Sequence, residues 1–348
     1  MRYLPIAGLK EQMALGQDIF DGEGRMLLAK HQILDNDYIL NLQSMGLQGV
    51  YIDDEFSEEI EVEQIIKPGI RRQALKTVHT LFIEEEDAED AREWKIRKLV
   101  MDVVENIVSH GDVMYNMMDL KNYDDYTFFH SVNVAVLSVV LGARYGMDVQ
   151  ELRILAAGAL LHDIGKRFLE IDILNARRPL TEEERHIMLQ HSKLGYEFLR
   201  ERYDFPEEVC LGVLEHHECY NGEGYPLRKS GEEISIYARI IKMADVYDAM
   251  LSKRPYRNAL PPSDAVEYIM AMCGSEFDPQ LVDVFVKWVA VYPAGCEVVL
   301  SDGRHAVVAK NFQNFALRPV VKLIESGEML DLKEDKDARN ITIKSIVV

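Results

Sequence analysis

The sequence has few of the features that mark secreted and membrane proteins. Its four cysteines, among 348 residues, show no CxxC spacing, so no cysteine framework is indicated. There is no secretory signal, and the expected compartment is a reducing cytoplasm. The longest apolar run, residues 132–143, is far shorter than the roughly 20 residues that span a bilayer, so no membrane span is expected.

Positive charge is also scarce. Lys and Arg number 39 against 59 Asp and Glu, which gives a formal net charge of −20. General nucleic-acid binding needs Lys and Arg to neutralise phosphates, so this balance argues against a nucleic-acid partner. A small anionic substrate stays open, because bound metal ions dominate the field where they lie. Internal repeats and low-complexity tracts are absent, and the apolar share of 48% is ordinary for a globular protein.

The chain is long enough for two or three domains. Helical spacing in the middle and strand signals at both ends predict a mainly α fold, a helical bundle with small β-containing terminal units. The predicted units are a small α+β unit, an acidic helical linker, a helical domain and a small β unit: residues 1–55, 56–94, 95–290 and 291–348. A fragment of residues 90–292 is expected to fold without the terminal units.

Local signals place several turns and helix starts. A Gly-rich turn at Gly22 and the Asp302-Gly303 turn each predict a hairpin. Asp35 or Asn36 is expected to cap a short helix. The acidic run at residues 84–93 is either a solvated face or a docking patch.

Two capping boxes predict helices that carry candidate site residues. Asp148, with a Glu three residues later, starts a helix that ends at His162. Thr181, with the same spacing to a Glu, starts a helix expected to carry His191.

Five of the ten histidines form an ordered series with two aspartates. The series is His130, His162 with Asp163, His191, His216 with His217, and Asp245. Successive members are separated by 26 to 32 residues, which is about one helix plus one connection. Each helix can therefore bring one or two of these side chains to a common centre.

Imidazole and carboxylate groups without thiolate suit Fe, Mn, Zn or Ni. The series has more ligands than one ion needs, which indicates at least two ions. Taken alone, the His162-Asp163 pair is better explained by a core histidine bonded to its neighbour, whereas two consecutive histidines, His216 and His217, are a stronger signal. Asp245, however, shares a helix face with Ala238 and Ile241, a poor place for a carboxylate without a metal or cation. Lys166 either reaches the same centre or only stabilises a helix C-terminus.

Five stretches resemble, in order, the motifs of the HD-GYP family of cyclic di-GMP phosphodiesterases, which are metal-dependent phosphohydrolases of the HD superfamily. They are residues 126–134 (YTFFHSVNV), 162–166 (HDIGK), 180–191 (LTEEERHIMLQH), 216–226 (HHECYNGEGYP) and 245–257 (DVYDAMLSKRPYR). The resemblance covers roughly residues 95–290. Because several spaced motifs agree in order, it is highly specific.

The resemblance implies roles residue by residue. Metal ligation is implied for His130, His162, Asp163, His191, His216, His217 and Asp245, with Asp163 bridging the ions. Substrate contact is implied for Lys166, Gly224, Tyr225, Pro226, Arg254 and Arg257, and the position of Tyr126 suggests packing beside the site or a hydrogen bond to substrate. Lys166 and Asp163 are the predicted catalytic residues.

The sequence departs from the family pattern at two positions. Some members carry a glutamate, a ligand of a third metal, four residues before the first histidine, where this chain has Tyr126. A neutral phenol is a poor ligand for a hard divalent ion, so two ions rather than three are expected. Asn221 replaces the usual Asp of the loop and keeps its hydrogen bonding but not its charge.

The implied activity is hydrolysis of cyclic di-GMP to linear pGpG, with GMP as an open end product. Two ions, Fe or Mn in the first place and Ni, Zn or Co as alternatives, can generate a bridging hydroxide and clamp the attacking and leaving oxygens. Lys166 can stabilise charge on the phosphoryl oxygens. No Ser-His or Cys-His nucleophile is evident.

Two other functions stay open at this stage. One is a regulatory module that binds the cyclic dinucleotide and hydrolyses it poorly; the other is an HD-type phosphohydrolase of another nucleotide. The expected partner is a small cyclic dinucleotide rather than nucleic acid. The terminal units are candidate contacts for a second copy or for a signalling protein.

Overall fold

The computed structural model describes the whole chain except residues 22, 46, 48, 84–88, 110, 112–113, 117–125, 175, 177, 253–258 and 348, and the side chains of residues 89, 90, 126 and 127. Several predictions fall on these positions. The predicted turn residue Gly22, the side chain of Tyr126 and the candidate substrate contacts Arg254 and Arg257 all lie outside the described residues.

Helices dominate the middle of the chain and short strands its two ends, as the sequence predicts. The helices are α1 (Asn36–Ser44), α2 (Pro68–Ile83), α3 (Glu89–Ser109), α4 (Tyr126–Tyr145), α5 (Val149–Leu161), α6 (Ile171–Leu174), α7 (Glu182–Leu189), α8 (His191–Arg202), α9 (Glu207–Glu215), α10 (Ile236–Leu251), α11 (Pro262–Ala271) and α12 (Pro279–Trp288). The strands are β1 (Arg2–Pro5), β2 (Ala14–Leu15), β3 (Ile19–Phe20), β4 (Met26–Leu28), β5 (Gly49–Asp53), β6 (Glu297–Leu300), β7 (His305–Lys310), β8 (Val320–Leu323), β9 (Met329–Asp331) and β10 (Ile343–Ile346).

The N-terminal unit is a small antiparallel sheet of order β1-β5-β2, beside the hairpin β3-β4. Side chains alternate across β5, so Val50 and Ile52 lie in a small core with α1, whereas Tyr51 joins the main core. Asp35 is the residue that caps α1, because its carboxylate accepts a hydrogen bond from the Tyr38 N–H at 2.8 Å.

The central helix of the body is α4, which packs against α5 and α10. By length and composition alone, its window Phe128–Tyr145 is apolar enough to cross a bilayer, but 83% of that window is buried inside the fold. Val134, Leu137 and Val139 have no exposed surface. The apolar run at residues 132–143 therefore belongs to the buried central helix of the body.

The C-terminal unit is a five-stranded antiparallel sheet of order β10-β6-β7-β8-β9. The predicted hairpin joins β6 to β7, with Gly303 at a positive φ of 90° that favours glycine. This sheet meets the N-terminal unit, since the Tyr3 N–H donates to Gly295 O at 2.8 Å and the Tyr51 hydroxyl donates to Ala294 O at 3.2 Å.

One hydrophobic core runs from the helical body into the C-terminal sheet. Residues of the predicted acidic linker also belong to this core, among them Ile60, Val62 and Ile66. The described part of that linker therefore packs on the body rather than lying free in solvent. The independent folding of residues 90–292 stays a prediction.

The capping boxes are confirmed, but one of their consequences is wrong. The side chain of Asp148 caps α5, and that of Thr181 caps α7. The second helix, however, ends at Leu189, and His191 is the first residue of α8 rather than part of α7. The sequence pattern does not reveal that one helix ends and another begins at Gln190, because Gln190 itself keeps helical dihedral angles.

Candidate metal centre

The structure brings all seven predicted ligands together at the ends and middles of five helices. His162 and His216 follow directly after α5 and α9, and His191 begins α8. Three overlapping sets of these side chains have ligand atoms within 4.8 Å of one another: His191, His216 and His217; His130, His162 and Asp245; and His162, Asp163 and His216.

Three of the histidines are oriented in the same way. Each has its Nδ1 close to the carbonyl oxygen three residues earlier: His162 to Ala159 at 2.8 Å, His191 to Met188 at 2.7 Å and His216 to Val213 at 2.7 Å. A carbonyl oxygen can only accept a hydrogen bond, so Nδ1 carries the proton and Nε2 keeps its lone pair. A helix end supplies these free carbonyls, and they direct all three Nε2 atoms to the centre.

The arrangement of these lone pairs fits a bound cation. His162 Nε2 is buried and has no hydrogen-bond partner among the residues that the structure describes. His191 Nε2 lies 3.4 Å from His216 Nε2, and both nitrogens are acceptors. His217 Nε2 lies 3.1 Å from the same His191 atom. Acceptors that face one another in a buried site are unfavourable, and a divalent ion between them would satisfy them.

Asp163 lies between the histidines. Its Oδ1 is 3.4 Å from His191 Nε2, and its Oδ2 is 3.4 Å from His162 Nε2 and 2.5 Å from the Lys166 ammonium. Burial by itself would raise the pKa of Asp163, but the adjacent Lys166 ammonium holds that pKa well below its usual range. The carboxylate is therefore anionic, with one oxygen toward each side of the centre.

His130 differs from the other histidines. Its Nδ1 lies 2.6 Å from Asp248 Oδ2 and its Nε2 3.0 Å from Asp245 Oδ1. Burial would lower its pKa, but hydrogen bonds to the two carboxylates raise that pKa to about 9. Both ring nitrogens thus have carboxylate partners, so this histidine lies at the centre without a free lone pair in this arrangement.

The remaining ligands are in the protonation states that metals require. Burial, together with neighbouring imidazoles, lowers the pKa of His191 and holds those of His216 and His217 well below the usual range. For Asp245, burial would raise the pKa, but the hydrogen bond from His130 keeps it well below the usual range. Neutral imidazoles and anionic carboxylates are the ligand forms of divalent ions.

The loop after His217 is held against the site by a buried carboxylate. Glu218 Oε1 accepts hydrogen bonds from the N–H groups of Leu227 at 2.6 Å and Arg228 at 3.0 Å. The loop passes so close that a Cβ on Gly224 would lie 2.2 Å from the Cys219 nitrogen. Only glycine fits at that position.

Two further loop residues have distinct positions. The Tyr225 ring stacks on the His217 ring, with centroids 4.7 Å apart and planes at 19°, and Pro226 follows it. Asn221 is exposed and bonds to Glu223, accepting from its N–H at 3.0 Å and donating to its carboxylate at 2.9 Å. The amide at position 221 therefore stabilises the loop locally.

Sequence reasoning missed three buried acids that support the site. Asp248 bonds to His130, Glu218 holds the loop, and Glu215 accepts from the Lys229 ammonium at 2.5 Å and the Ser235 N–H at 2.8 Å. Each is at most 1% exposed. A signal was present, since all three are carboxylates within three residues of a predicted ligand.

Comparison with known proteins assigns the family. The HD domain family model matches residues 103–281, which is half of the chain. Among curated relatives, the chain is 35% identical over 229 residues to cyclic di-GMP phosphodiesterase PA4108 of Pseudomonas aeruginosa, covering 66% of this chain and 55% of that protein. It is 39% identical over 149 residues to the cyclic di-GMP phosphodiesterase response regulator RpfG of Xanthomonas campestris, covering 42% and 39%.

A third relative is the 3'3'-cGAMP-specific phosphodiesterase 1 of Vibrio cholerae, 32% identical over 186 residues, covering 53% of this chain and 42% of that protein. The chain thus spans about half the length of the curated relatives it matches. The family match contains the converging histidines and aspartates described above. The chain therefore belongs to the HD domain family, in the HD-GYP branch that its His162-Asp163 pair and its Gly224-Tyr225-Pro226 loop indicate.

Proposed function

We propose that this chain is a metal-dependent phosphodiesterase that opens cyclic di-GMP to linear pGpG. The observation that carries the proposal is the convergence of seven histidine and aspartate side chains beside Lys166 and the Gly224-Tyr225-Pro226 loop. The names of two relatives, PA4108 and RpfG, support the same substrate. Action in the cytoplasm is part of the proposal, because the substrate is an intracellular second messenger.

Two ions, Fe or Mn, would occupy the centre. The ligand sets support two positions, because His191 with His216 and His217 shares no member with His130, His162 and Asp245. His130 would join the second set by releasing the proton that its Nε2 shares with Asp245. A third set takes one histidine from each and adds Asp163, whose two oxygens point to opposite sides. When bound, two such ions supply an activated water and offset the charge of the phosphodiester.

Lys166 would bind the phosphate that is cleaved. Its ammonium lies 2.5 Å from Asp163 Oδ2, and its side chain is 28% exposed, so it lies at the edge of the centre. An ammonium at that position can hold a phosphoryl oxygen and stabilise the negative charge that develops on it. Arg254 and Arg257 are further candidates for the same role by resemblance alone.

A nucleotide panel tests the activity and the substrate class. The protein, reconstituted anaerobically with Fe or Mn, is incubated with cyclic di-GMP, 3'3'-cGAMP and mononucleotides, and the products are separated by chromatography. We expect cyclic di-GMP to give pGpG first, with GMP only on longer incubation. Binding of cyclic di-GMP without cleavage under every metal would favour a regulatory module, and preferred cleavage of cGAMP or a mononucleotide would reassign the substrate.

Paired variants test the separate roles at the centre. Asp163→Ala should lose both metal and activity, because one carboxylate serves both ions. Lys166→Ala should keep its metal and lose at least about tenfold in rate, as expected for a group that stabilises developing charge. Lys193→Ala, on an exposed lysine of α8, is the matched control and should change neither property. Metal loss in Lys166→Ala would contradict the assignment.

Metal analysis tests the number of ions. We propose two ions per chain, since Tyr126 replaces the glutamate that serves a third ion in some relatives. Tyr126→Phe should retain activity and the same metal content. Three fully occupied peaks in an anomalous-scattering map would overturn this count.

A further inference from the structure

One face of α3 presents large apolar side chains to solvent. Trp94 is 61% exposed, Met101 43% and Val108 46%, and they are seven residues apart. The exposed Lys98 and Glu105 lie between them, so the five side chains follow the alternating spacing of three and four that forms a helix-pairing seam. We call these five residues the α3 stripe.

The stripe is not needed to attach α3 to its own chain. The opposite face of the helix carries Ile96, Leu99 and Val103, each 1% exposed, and these pack in the main core. Trp94 is the most exposed side chain of the stripe's apolar members, and the Lys98 ammonium lies 5.3 Å from its ring centroid. Apolar side chains that repeat every seven residues on an exposed helix face are typical of a surface that pairs with a second helix.

We infer that a second copy of this chain covers the α3 stripe, with the two α3 helices antiparallel about a two-fold axis near Met101. The sequence of the stripe is self-complementary in that orientation. Met101 is the midpoint between Trp94 and Val108. The midpoint between Lys98 and Glu105 lies half a residue from Met101. A two-fold axis there places Trp94 beside the partner's Val108, and Lys98 beside the partner's Glu105.

Charge decides between the two orientations. A parallel pair would bring Lys98 against the partner's Lys98 and Glu105 against the partner's Glu105, and like charges at such positions repel. The antiparallel pair replaces both repulsions by two attractions. Glu105 lies 3.8 Å from Arg153 of its own chain, and its side chain is 64% exposed, so it is accessible to a second cation.

A cavity beside Val108 offers a place for the partner's tryptophan. It has a volume of about 410 Å³ and is lined mainly by apolar side chains, among them Val108, Val140, Val149 and Leu152, together with the charged Arg144 and Asp148. Its size falls in the roughly 300–1,000 Å³ range of pockets that bury small ligands. An aromatic anchor that fills an apolar pocket is the usual energetic centre of an interface. In the antiparallel pair, Trp94 of each copy lies at the mouth of the cavity of the other copy.

The oligomeric state of the full chain tests the interface. Sedimentation equilibrium over a range of micromolar concentrations should show a dimer. Trp94→Lys should weaken dimerisation at least about tenfold, as expected for loss of a central aromatic anchor. Leu317→Lys is the matched control, because Leu317 is also 61% exposed but lies in the C-terminal unit. A monomeric wild type, or a Trp94→Lys variant that dimerises as well as Leu317→Lys, would overturn the inference.

Mixing two charge variants tests the orientation. In the Lys98→Glu dimer, two acids face each other at both ends of the interface, and in the Glu105→Lys dimer two bases do. Each variant alone should therefore dimerise at least about tenfold more weakly than the wild type. A 1:1 mixture restores opposite charges at both ends and should form a heterodimer. A parallel pair opposes like charges already in the wild type, so single variants that dimerise as well as the wild type, or a mixture that fails to recover the dimer, would refute the antiparallel arrangement. Both substitutions are on exposed side chains, and the outcome does not depend on catalytic activity.

Discussion

Replacement of Asp248 tests how the centre is held in place. Its Oδ2 lies 2.6 Å from His130 Nδ1, and its Oδ1 accepts from the Asn133 amide at 2.8 Å. The Asn133 Oδ1 atom is buried, and no described residue hydrogen-bonds to it. Asp248→Asn can therefore keep both contacts, because the Asn133 amide can turn over and accept from the new amide. Asp248→Ala removes both.

The two variants should differ in free energy of unfolding. In Asp248→Ala, two buried donors lose their acceptor at about 1–3 kcal/mol each, which gives about 2–6 kcal/mol in total. In Asp248→Asn, only the charge of the acceptor is lost, which costs about 1–2 kcal/mol. A domain is stable by about 5–15 kcal/mol, so the alanine variant should be folded but marginal. Loss of a group that orients a metal-site histidine typically costs about 10–100-fold in metal affinity or activity.

Urea denaturation of the metal-free protein measures the stability difference, and elemental analysis after reconstitution measures the metal content. Asp283→Ala is the control, since its carboxylate is 65% exposed and pairs with Lys287 at 2.5 Å on the surface of α12. An exposed ion pair contributes about 0–1 kcal/mol, so this variant should match the wild type. The reasoning is refuted if Asp248→Asn and Asp248→Ala are equally stable, or if Asp248→Ala binds metal as the wild type does.

Other features of the site give further predictions. Gly165→Ala should destabilise the protein and lower its metal content, because its Cβ would lie 1.9 Å from the His191 carbonyl oxygen; unchanged thermal melting would contradict this contact. Glu218→Ala should cost about 2–6 kcal/mol by leaving two loop N–H groups without an acceptor, and Glu218→Gln clearly less, as measured by urea denaturation. Removal of metal with a chelator should lower the melting temperature, since an ion at 100 times its Kd stabilises the native state by about 2.7 kcal/mol; an unchanged melting temperature would indicate that the folded protein binds no ion.

Much of the candidate site could be predicted from sequence because it depends on interactions between residues that are close together in the chain. His162 and His216 lie at helix ends, where free carbonyls three residues earlier orient the rings. A helix period of about 3.6 residues and a side-chain cap at Asp148 are properties of neighbouring residues, so the pattern contains them. The hairpin at Gly303 follows from the turn residues in the same way.

Only the tertiary structure decided which residues that are distant in the sequence contact one another at the site. His130 and Asp248 are 118 positions apart, and the sequence pattern did not reveal that this histidine bonds to two carboxylates. In the sequence, Glu218 is one more charged residue after His217. The structure shows that the loop folds back so that the Leu227 N–H donates to the Glu218 carboxylate.

By itself, the sequence determined which side chains are candidate metal ligands and, for all but His191, which helix carries them, because composition and helical period are properties of neighbouring residues. The structure decided which nitrogen faces the centre, which acids support it, and that Tyr3 and Tyr51 attach the N-terminal unit to the C-terminal sheet. Those outcomes depend on contacts between residues far apart in the chain, and such contacts form only when burial and hydrogen bonding are satisfied for the whole fold at once.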